Sequence, residues 1–493
     1  MFGLRKIISA KQTRLADAYT IENEPVSSID LMERASTAFV NEILQEDLSN
    51  KKIAVVCGVG NNGGDGLAVA RILQSHNIEA QPFLIQFKDK LSDDCQINFN
   101  RLEQVTVISS EKEIPDLSSF DLIIDALLGT GLQREAEGFV AQTINAINAS
   151  GATVYAIDIP SGLFCDEITN ASSVVQSDLV VSFQRPKKAF FFPENNAYIQ
   201  QWRVVDIGLD EKFIQQQESH QYVLDEKVSL LVKSRKRYSH KGSYGHALMI
   251  SGAYGMMGAA VLTSEACLRS GAGLVSSYVP KCGYEILQTS LPEAMCLTDT
   301  QYEHITSLPE LEKYNAIGIG PGLGTNPDTI HVVSELFERI NVPVVLDADA
   351  LNILSTKLEL IAEIPKNAIL TPHIKEFDRM VGFSVNAQER FQKQQQFSKE
   401  HQCIVVLKDA HTSISDAQGN LFFNTSGNPG MATGGSGDVL TGIITGLLAQ
   451  SYSPIEAALI GVYHHGLAGD VAAWQKGQYS MIASDIINNL RIA

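Results

Sequence analysis

GNPGMATGGSGDVLTG, residues Gly427 to Gly442, is the stretch that decides the fold. It begins as a glycine-dense loop and runs without a break into the apolar, helix-like VLTGIITGLLA. Gly434, Gly435, Ser436 and Gly437 can take backbone angles closed to other residues, so several N–H groups can converge on one point. The helix that follows adds the partial positive charge of its N-terminus, which suits the junction to a phosphate-like anion. Asp438 stands at that junction. A carboxylate beside a phosphate-binding loop can take the proton of a hydroxyl about to accept a phosphoryl group. A tight turn capped by Ser436 and Asp438 would explain a lone GSGD. Five glycines in the eleven residues from Gly427 to Gly437, followed by an aspartate, favour the anion site.

The rest of the chain sets the frame around that loop. Its 493 residues exceed one ordinary core, so two or more domains are expected. With 44% hydrophobic residues, 19% charged residues and 37 glycines, the composition is that of an α/β protein. A net charge of −18 argues against nucleic acid or an anionic membrane as a general partner, and leaves room for a local phosphate site. Seven cysteines without a CxxC pair fit a reducing cytosol. The start MFGLRKIISAKQTRLADAYT has no long apolar run, and no stretch reaches the roughly eighteen apolar residues of a membrane span. A cytoplasmic enzyme is the expectation.

Upstream, SSIDLMERASTAFVNEIL has helical spacing, with Ser28 or Asp30 as cap. KKIAVVCG predicts a buried strand that runs into GVGNNGGDG and the helical LAVARILQSHN. Gly58, Gly60 and Gly63 have GxGxxG spacing, with Glu79 about twenty residues on, so a dinucleotide fingerprint is one reading. Asn61, Asn62 and Asp65 are polar where that fingerprint wants bare backbone, and they offer oxygens for a cation and donors for a phosphate or ribose. FDLIIDALLGTGLQRE predicts a second strand ending at Asp125, and TVYAIDIPSGL a third ending at Asp158, before Pro160, Ser161 and Gly162. The carboxyl ends of strands in an open parallel sheet form a ligand crevice, where the three polar clusters would converge. Taken singly, each is also what any polar turn after a buried strand looks like. The polar, glutamine-rich EKFIQQQESHQYVLDEK carries no core pattern and marks a domain boundary near 218.

Beyond the boundary, HALMISG, NAIGIGPGLG, NVPVVLDADALNIL, NAILTPHIKEFDRM and CIVVLKD read as strands, the last followed by a hairpin at DAQGN. GAAVLTSEACLRSGAG is a small-residue helix that can approach either a ligand or another helix. Arg235, Lys236, Arg237, His240 and Lys241 form the main basic cluster, either a solvated loop or a phosphate contact. PIEAALIGVYHHGLAGDVAAWQ reads as an amphipathic helix on which adjacent His464 and His465 make a poor metal pair.

GGSGD before an apolar helix resembles the ribokinase-like family, and GNPGMATGGSGDVLTGIITGLLAQ resembles its ADP-dependent NAD(P)H-hydrate dehydratase branch. HKGSYG, GPGLG, DADAL and LTPHIKEFDRM occur in the order of that branch. NNGGDGLAVA, DALLGTGL and DIPSGL resemble the NAD(P)H-hydrate epimerase domain. The resemblance implies an α/β chain of two domains, 1–218 Rossmann-like and 219–493 ribokinase-like, each a mostly parallel sheet with helices on both faces. It further implies that hydrated NADH and NADPH are epimerised in the first domain and dehydrated at the expense of ADP, with Mg²⁺, in the second.

For the first domain it implies a K⁺ ion held by Asn62, Asp125 and Ser161. The hydrated dinucleotide would be bound by Asn61, Asn62, Gly63, Gly64 and Asp65, by Gly129, Thr130, Gly131, Leu132, Gln133, Arg134 and Glu135, and by Asp158, which is the candidate acid/base. For the second it implies substrate contacts at Ala260, Gly322, His373 and Asp438. Nucleotide contacts would come from Lys408, Asp409, Ala410, His411 and Thr412 and from Gly434, Gly435, Ser436 and Gly437. KDAHT departs from the family, where a glycine more often follows the lysine. The expected partners are small molecules and a second copy of the chain, in a homo-oligomer. A kinase that phosphorylates a small alcohol and stops there shares the anion loop and Asp438, and a non-catalytic nucleotide sensor is a third reading. Recovery of the dihydronicotinamide on incubation with ADP separates them.

Overall fold

A computed structural model describes residues 3–492, so Met1, Phe2 and Ala493, the outer ends of the two expected domains, lie outside the described residues. The chain folds as two compact units, one from Lys6 to Ser219 and the other from His220 onward together with the residues before Lys6. Arg5 thus groups with the second unit, where the expected division would have placed it in the first. A short strand, β1 (Arg5–Lys6), carries it. Its guanidinium pairs with Asp225 at 2.8 Å and Glu226 at 2.9 Å.

In the first unit β2 (Ile53–Cys57), β3 (Ala80–Ile85), β4 (Thr106–Ile108), β5 (Leu122–Ala126), β6 (Thr153–Ile157), β7 (Ser177–Phe183) and β8 (Ile199–Val205) form one sheet. Their order is β4-β3-β2-β5-β6-β7-β8 and every pairing is parallel. IAVVC and LIIDA are buried at every residue, as strands covered on both faces must be. Val55 and Ile124 pack with Phe39 and Leu67, from the helices Ser28–Ile43 and Asn61–Ser75. Ala54, Val56 and Ile123 pack with Ile144 and Ile147 of the helix Gly138–Ala149 on the other side. Strand order reverses between β2 and β5, which opens a crevice at their carboxyl ends.

The second unit holds β9 (Gln221–Leu224), β10 (His246–Ile250), β11 (Leu274–Val279), β12 (Met295–Thr298), β13 (Ala316–Ile319), β14 (Val344–Leu346), β15 (Ile369–Leu370), β16 (Ile404–Leu407), β17 (Ser413–Ser415) and β18 (Leu421–Asn424). The sheet order is β1-β9-β18-β17-β16-β15-β14-β13-β10-β11-β12. It is parallel from β16 to β12 and antiparallel through β16, β17 and β18, the expected hairpin. One face packs on the helices Ser436–Ala449 and Pro454–Lys476, the other on Pro327–Arg339 and Asp349–Thr356.

Three expectations change, and one open alternative is decided. The strand β9 lies inside the boundary segment that showed no core pattern; its Tyr222, Val223 and Leu224 are buried beside β18. Pro454–Lys476 is enclosed over most of its circumference, with both His464 and His465 buried, so it is a core helix and not an amphipathic one. Ser27, not Ser28 or Asp30, caps the helix Ser28–Ile43, accepting from the Asp30 N–H. The small residues of the helix Met257–Arg269 serve helix packing: a Cβ built on Gly442 would lie 2.1 Å from the Thr263 carbonyl oxygen.

Candidate active sites

The crevice of the first unit is a cavity of about 860 Å³. Its floor is the turn after β2, where glycine is required by close approach. A Cβ on Gly58 would lie 1.9 Å from the Leu127 carbonyl oxygen, and one on Gly63 would lie 1.8 Å from that of Gly58. The helix Asn61–Ser75 therefore starts tight against the sheet, and its Gly60 cap supplies no side-chain hydrogen bond. Its first N–H groups are free for an anion. Asn61, Asn62, Asp65, Gly129 to Arg134 and Asp158 all line the cavity. Gly63 and Gly64 are buried behind it, and Glu135 is exposed outside the lining.

Asp158 follows β6 with φ +65°, a left-handed conformation that costs a non-glycine residue energy and occurs at functional sites. Its Oδ1 meets the Lys187 ammonium at 2.7 Å and accepts from the Phe183 N–H at 2.8 Å and from the Ser182 hydroxyl at 3.3 Å. Asp17 and Asp65 share the cavity. Burial, then the Asp158 charge, pushes Asp17 up to about 6, against the pull of Lys187. Burial, then Asp158 and Asp17, holds Asp65 well above the usual carboxylate range, with the Ser36 hydroxyl opposing. Sequence reasoning missed Asp17 and Lys187. The one trace of Lys187 is a lysine pair set before the apolar AFFF.

Asn62, Asp125 and Ser161 come together at the end of β5. Asp125 and Ser161 are fully buried. The Ser161 N–H and hydroxyl donate to Asp125 at 2.7 and 2.6 Å, the Leu127 N–H donates at 3.2 Å, and the Asn62 amide donates to the Leu128 carbonyl at 3.0 Å. Burial pushes Asp125 up to about 6, against these hydrogen bonds. A buried carboxylate beside amide, hydroxyl and carbonyl oxygens, with no basic side chain bonded to it among the described residues, is a donor set that fits a hard cation.

In the second unit Gly435 takes φ +89° as the cap of Ser436–Ala449, and a Cβ on Gly437 would lie 3.2 Å from the Lys408 ammonium. Lys408 pairs with Asp347 at 2.8 Å, and the Thr441 hydroxyl donates to the other oxygen of Asp347 at 2.7 Å. Burial alone would lower the Lys408 ammonium, but Asp347, Glu376 and Asp438 hold it above its ordinary value. Asp438, half-buried, is pushed up to about 6 by burial and then by Asp347, with Lys408 opposing. A carboxylate poised there can serve as a base near neutral pH.

His373 forms a bridge with Lys408, and its N–H donates to Glu376 at 2.8 Å. Gly322 abuts Met256 and Ala259, and Ala260 is fully buried next to Gly252. Asp409 and Ala410 are exposed, and the Thr412 hydroxyl donates to the Asp409 carbonyl at 3.3 Å. His411 bonds the Asn424 carbonyl at 3.1 Å, and burial lowers its pKa. Asp347, Thr441 and Glu376 were not among the expected site residues; Asp347 directly follows β14, whereas Glu376 lies in the helix Ile374–Val381.

These two sites belong to a chain with clear relatives. A family model described as NAD(P)H-hydrate dehydratase matches residues 247–491, and one described as YjeF-related protein N-terminus matches 28–189. The bifunctional NAD(P)H-hydrate repair enzyme of Moorella thermoacetica is 35% identical over 98% of this chain and 96% of its own. That of Coxiella burnetii is 36% identical over 98% of each. Among solved structures, an ADP/ATP-dependent NAD(P)H-hydrate dehydratase from Bacillus subtilis, co-crystallised with ATP/Mg²⁺, is 32% identical; the match covers 54% of this chain and 94% of that one, with a TM-score of 0.47. The near-complete coverage of the two bacterial relatives leads to one conclusion: the chain belongs to the bifunctional NAD(P)H-hydrate repair enzyme family.

Proposed function

We propose that the division of labour follows the two units, with epimerisation of hydrated NADH and NADPH at the cavity of residues 6–219 and ADP-dependent dehydration at the glycine loop of the other unit. The observation that carries this is the pairing, in one chain, of a cavity-facing Asp158 with a glycine loop whose Asp438 sits beside Lys408 and Asp347.

The hydrated ring carbon bears both a hydroxyl and the ring nitrogen. Asp158 takes the hydroxyl proton, the oxygen electrons form a carbonyl, and the carbon–nitrogen bond breaks towards nitrogen. The nitrogen takes a proton back, and re-addition to the other carbonyl face inverts the carbon. The free N–H groups at the start of Asn61–Ser75 and the Gly129–Arg134 turn orient phosphate and ribose. Asn62, Asp125 and Ser161 would hold K⁺, which would supply positive charge to the two turns that frame the cavity.

In the second unit Asp438 accepts the proton of the same hydroxyl as it attacks the terminal phosphoryl of ADP. The N–H groups of Gly434–Gly437 and the Lys408 ammonium stabilise the transferring group. AMP leaves. The ring nitrogen then pushes phosphate off its carbon to leave an iminium, and loss of a proton from the neighbouring ring carbon to the departing phosphate forms the carbon–carbon double bond and restores the dihydronicotinamide. Among the described residues no three His, Cys, Asp or Glu side chains form a metal cage. Mg²⁺, which takes mainly phosphate oxygens and water, would arrive with the nucleotide. No helix among the described residues is long and apolar enough to cross a membrane, and all seven cysteines are free, which suits the cytosol this reading assigns. Adding each pure epimer of hydrated NADH with ADP and following near-ultraviolet absorbance tests the scheme. Recovery from both epimers supports it, and a stable phosphorylated product refutes it.

A further inference from the structure

Asp158 is held by one oxygen only. The Lys187 ammonium, the Phe183 N–H and the Ser182 hydroxyl all end on Oδ1. Oδ2 has no hydrogen bond among the described residues, and the side chain lines the cavity with 14% of its surface exposed. A carboxylate free to rotate about its last bond would present either oxygen; the ammonium and the N–H on Oδ1 remove that freedom, while the one proton of the Ser182 hydroxyl is shared between Oδ1 and the Arg185 carbonyl at 3.2 Å.

Lys187 is the unusual member of this group. It is 1% exposed and does not line the cavity. Its three protons have three acceptors, Asp158 Oδ1, the Phe183 carbonyl at 3.2 Å and the Arg185 carbonyl at 3.3 Å. Burying an ammonium is costly unless it is paired, and among the described residues Asp158 is its one carboxylate partner within ion-pair distance. The basic residues that do line the cavity, Arg14, Lys88 and Arg134, are exposed at its rim. Two more carboxylates, Asp17 and Asp65, face the same space. They compete electrostatically with Asp158, and Lys187 is the buried cation that distinguishes Asp158 from them.

We propose that Lys187 is a positioning residue for epimerisation: it anchors Asp158 through Oδ1, so that Oδ2 alone is presented to the hydroxyl of the hydrated ring. Lys187 touches no substrate and acts only through Asp158. The inference rests on Asp158 being the acid/base, so the experiment must separate the two claims. The reaction is the one already written: the proton leaves the hydroxyl for Oδ2 and returns to the ring nitrogen, and Lys187 neither gains nor loses one.

The test uses the full chain and the R epimer of hydrated NADH, with the uncatalysed rate subtracted. Asp158→Asn, Lys187→Met and the double variant are compared for kcat and KM of epimerisation. Lys187→Met is expected to lower kcat by about 10²-fold, within the range of a misplaced acid/base, with KM within about threefold. The double variant is expected to be no slower than Asp158→Asn alone, because both changes remove the same function. Wild-type kcat in Lys187→Met, a loss confined to KM, or multiplicative losses in the double variant would each overturn the inference. If Asp158→Asn kept its kcat, the Asp158 assignment would fall instead. Should Lys187→Met fail to fold by circular dichroism, Lys187→Gln carries the test. It removes the ammonium and keeps a polar end for the Phe183 and Arg185 carbonyls, so kcat should fall at constant KM, and an unchanged kcat there overturns the proposal.

Discussion

Lys408 and Asp347 form an ion pair of 2.8 Å beneath the glycine loop, and Asp347 is only 1% exposed. The pair links the end of β16 to the end of β14, two strands separated in the sheet by β15. It sets the charge that Asp438 and any phosphoryl group must meet. Lys408→Met would leave Asp347 buried without its cation, with only the Thr441 hydroxyl on its other oxygen. Breaking a buried pair from one side costs about 3–5 kcal/mol. The second unit should therefore unfold at lower urea, and the variant should lose dehydratase activity. An unchanged urea midpoint would mean that the pair contributes nothing to the stability of the unit.

Asp438→Asn keeps the shape of the loop and removes the base. Dehydration of the S epimer is expected to fall by about 10²–10⁴-fold, while ADP affinity changes little because the Gly434–Gly437 N–H groups remain. Single-turnover kinetics and nucleotide titration measure the two separately. Near-normal turnover would reduce Asp438 to a helix cap.

The same residue sets a pH dependence. Asp438 is raised to about 6 from an ordinary 3.8, so it loses its basic form as pH falls through about 6. Dehydratase kcat/KM should fall about tenfold per unit below that point and level off above it. A profile flat to pH 5 would remove Asp438 as the titrating base.

Much of this was legible in the chain before any coordinates. The loop at Gly434–Gly437 announces itself because backbone close approach leaves a compositional mark, and Asp125, Asp158 and Asp347 could be placed at strand ends by the apolar runs before them. What could not be read were the partners. Lys408 reaches Asp347 across 61 residues, and Lys187 reaches Asp158 from beyond β7, because the sheet order puts strand ends side by side that sequence does not. Asp17 lies in the helix Ala10–Asn23, whose pattern says nothing of a cavity. The strand β9 was hidden for a different reason. Four residues are too few for a periodicity, and its burial comes from β18, about two hundred residues later.

Asp125→Ala removes the one anionic oxygen among the proposed K⁺ ligands. Wild-type protein should melt at higher temperature in K⁺ than in a bulky tetraalkylammonium salt of equal ionic strength, and the variant should show no difference between the two. Epimerase activity should fall in the variant, while dehydration of the S epimer stays as in wild type. Equal melting of the wild type in both salts would take the cation out of the site.

The most direct measurement of the central claim supplies the full chain with pure R epimer of hydrated NADH and ADP, and follows near-ultraviolet absorbance with AMP and phosphate. Both proposed sites must act in turn for NADH to return. The expected result is full recovery, one AMP and one phosphate per NADH, abolished by Asp438→Asn and slowed to the uncatalysed epimerisation rate by Asp158→Asn. Accumulation of a phosphorylated dinucleotide without NADH, or an R-epimer rate untouched by Asp158→Asn, would contradict it.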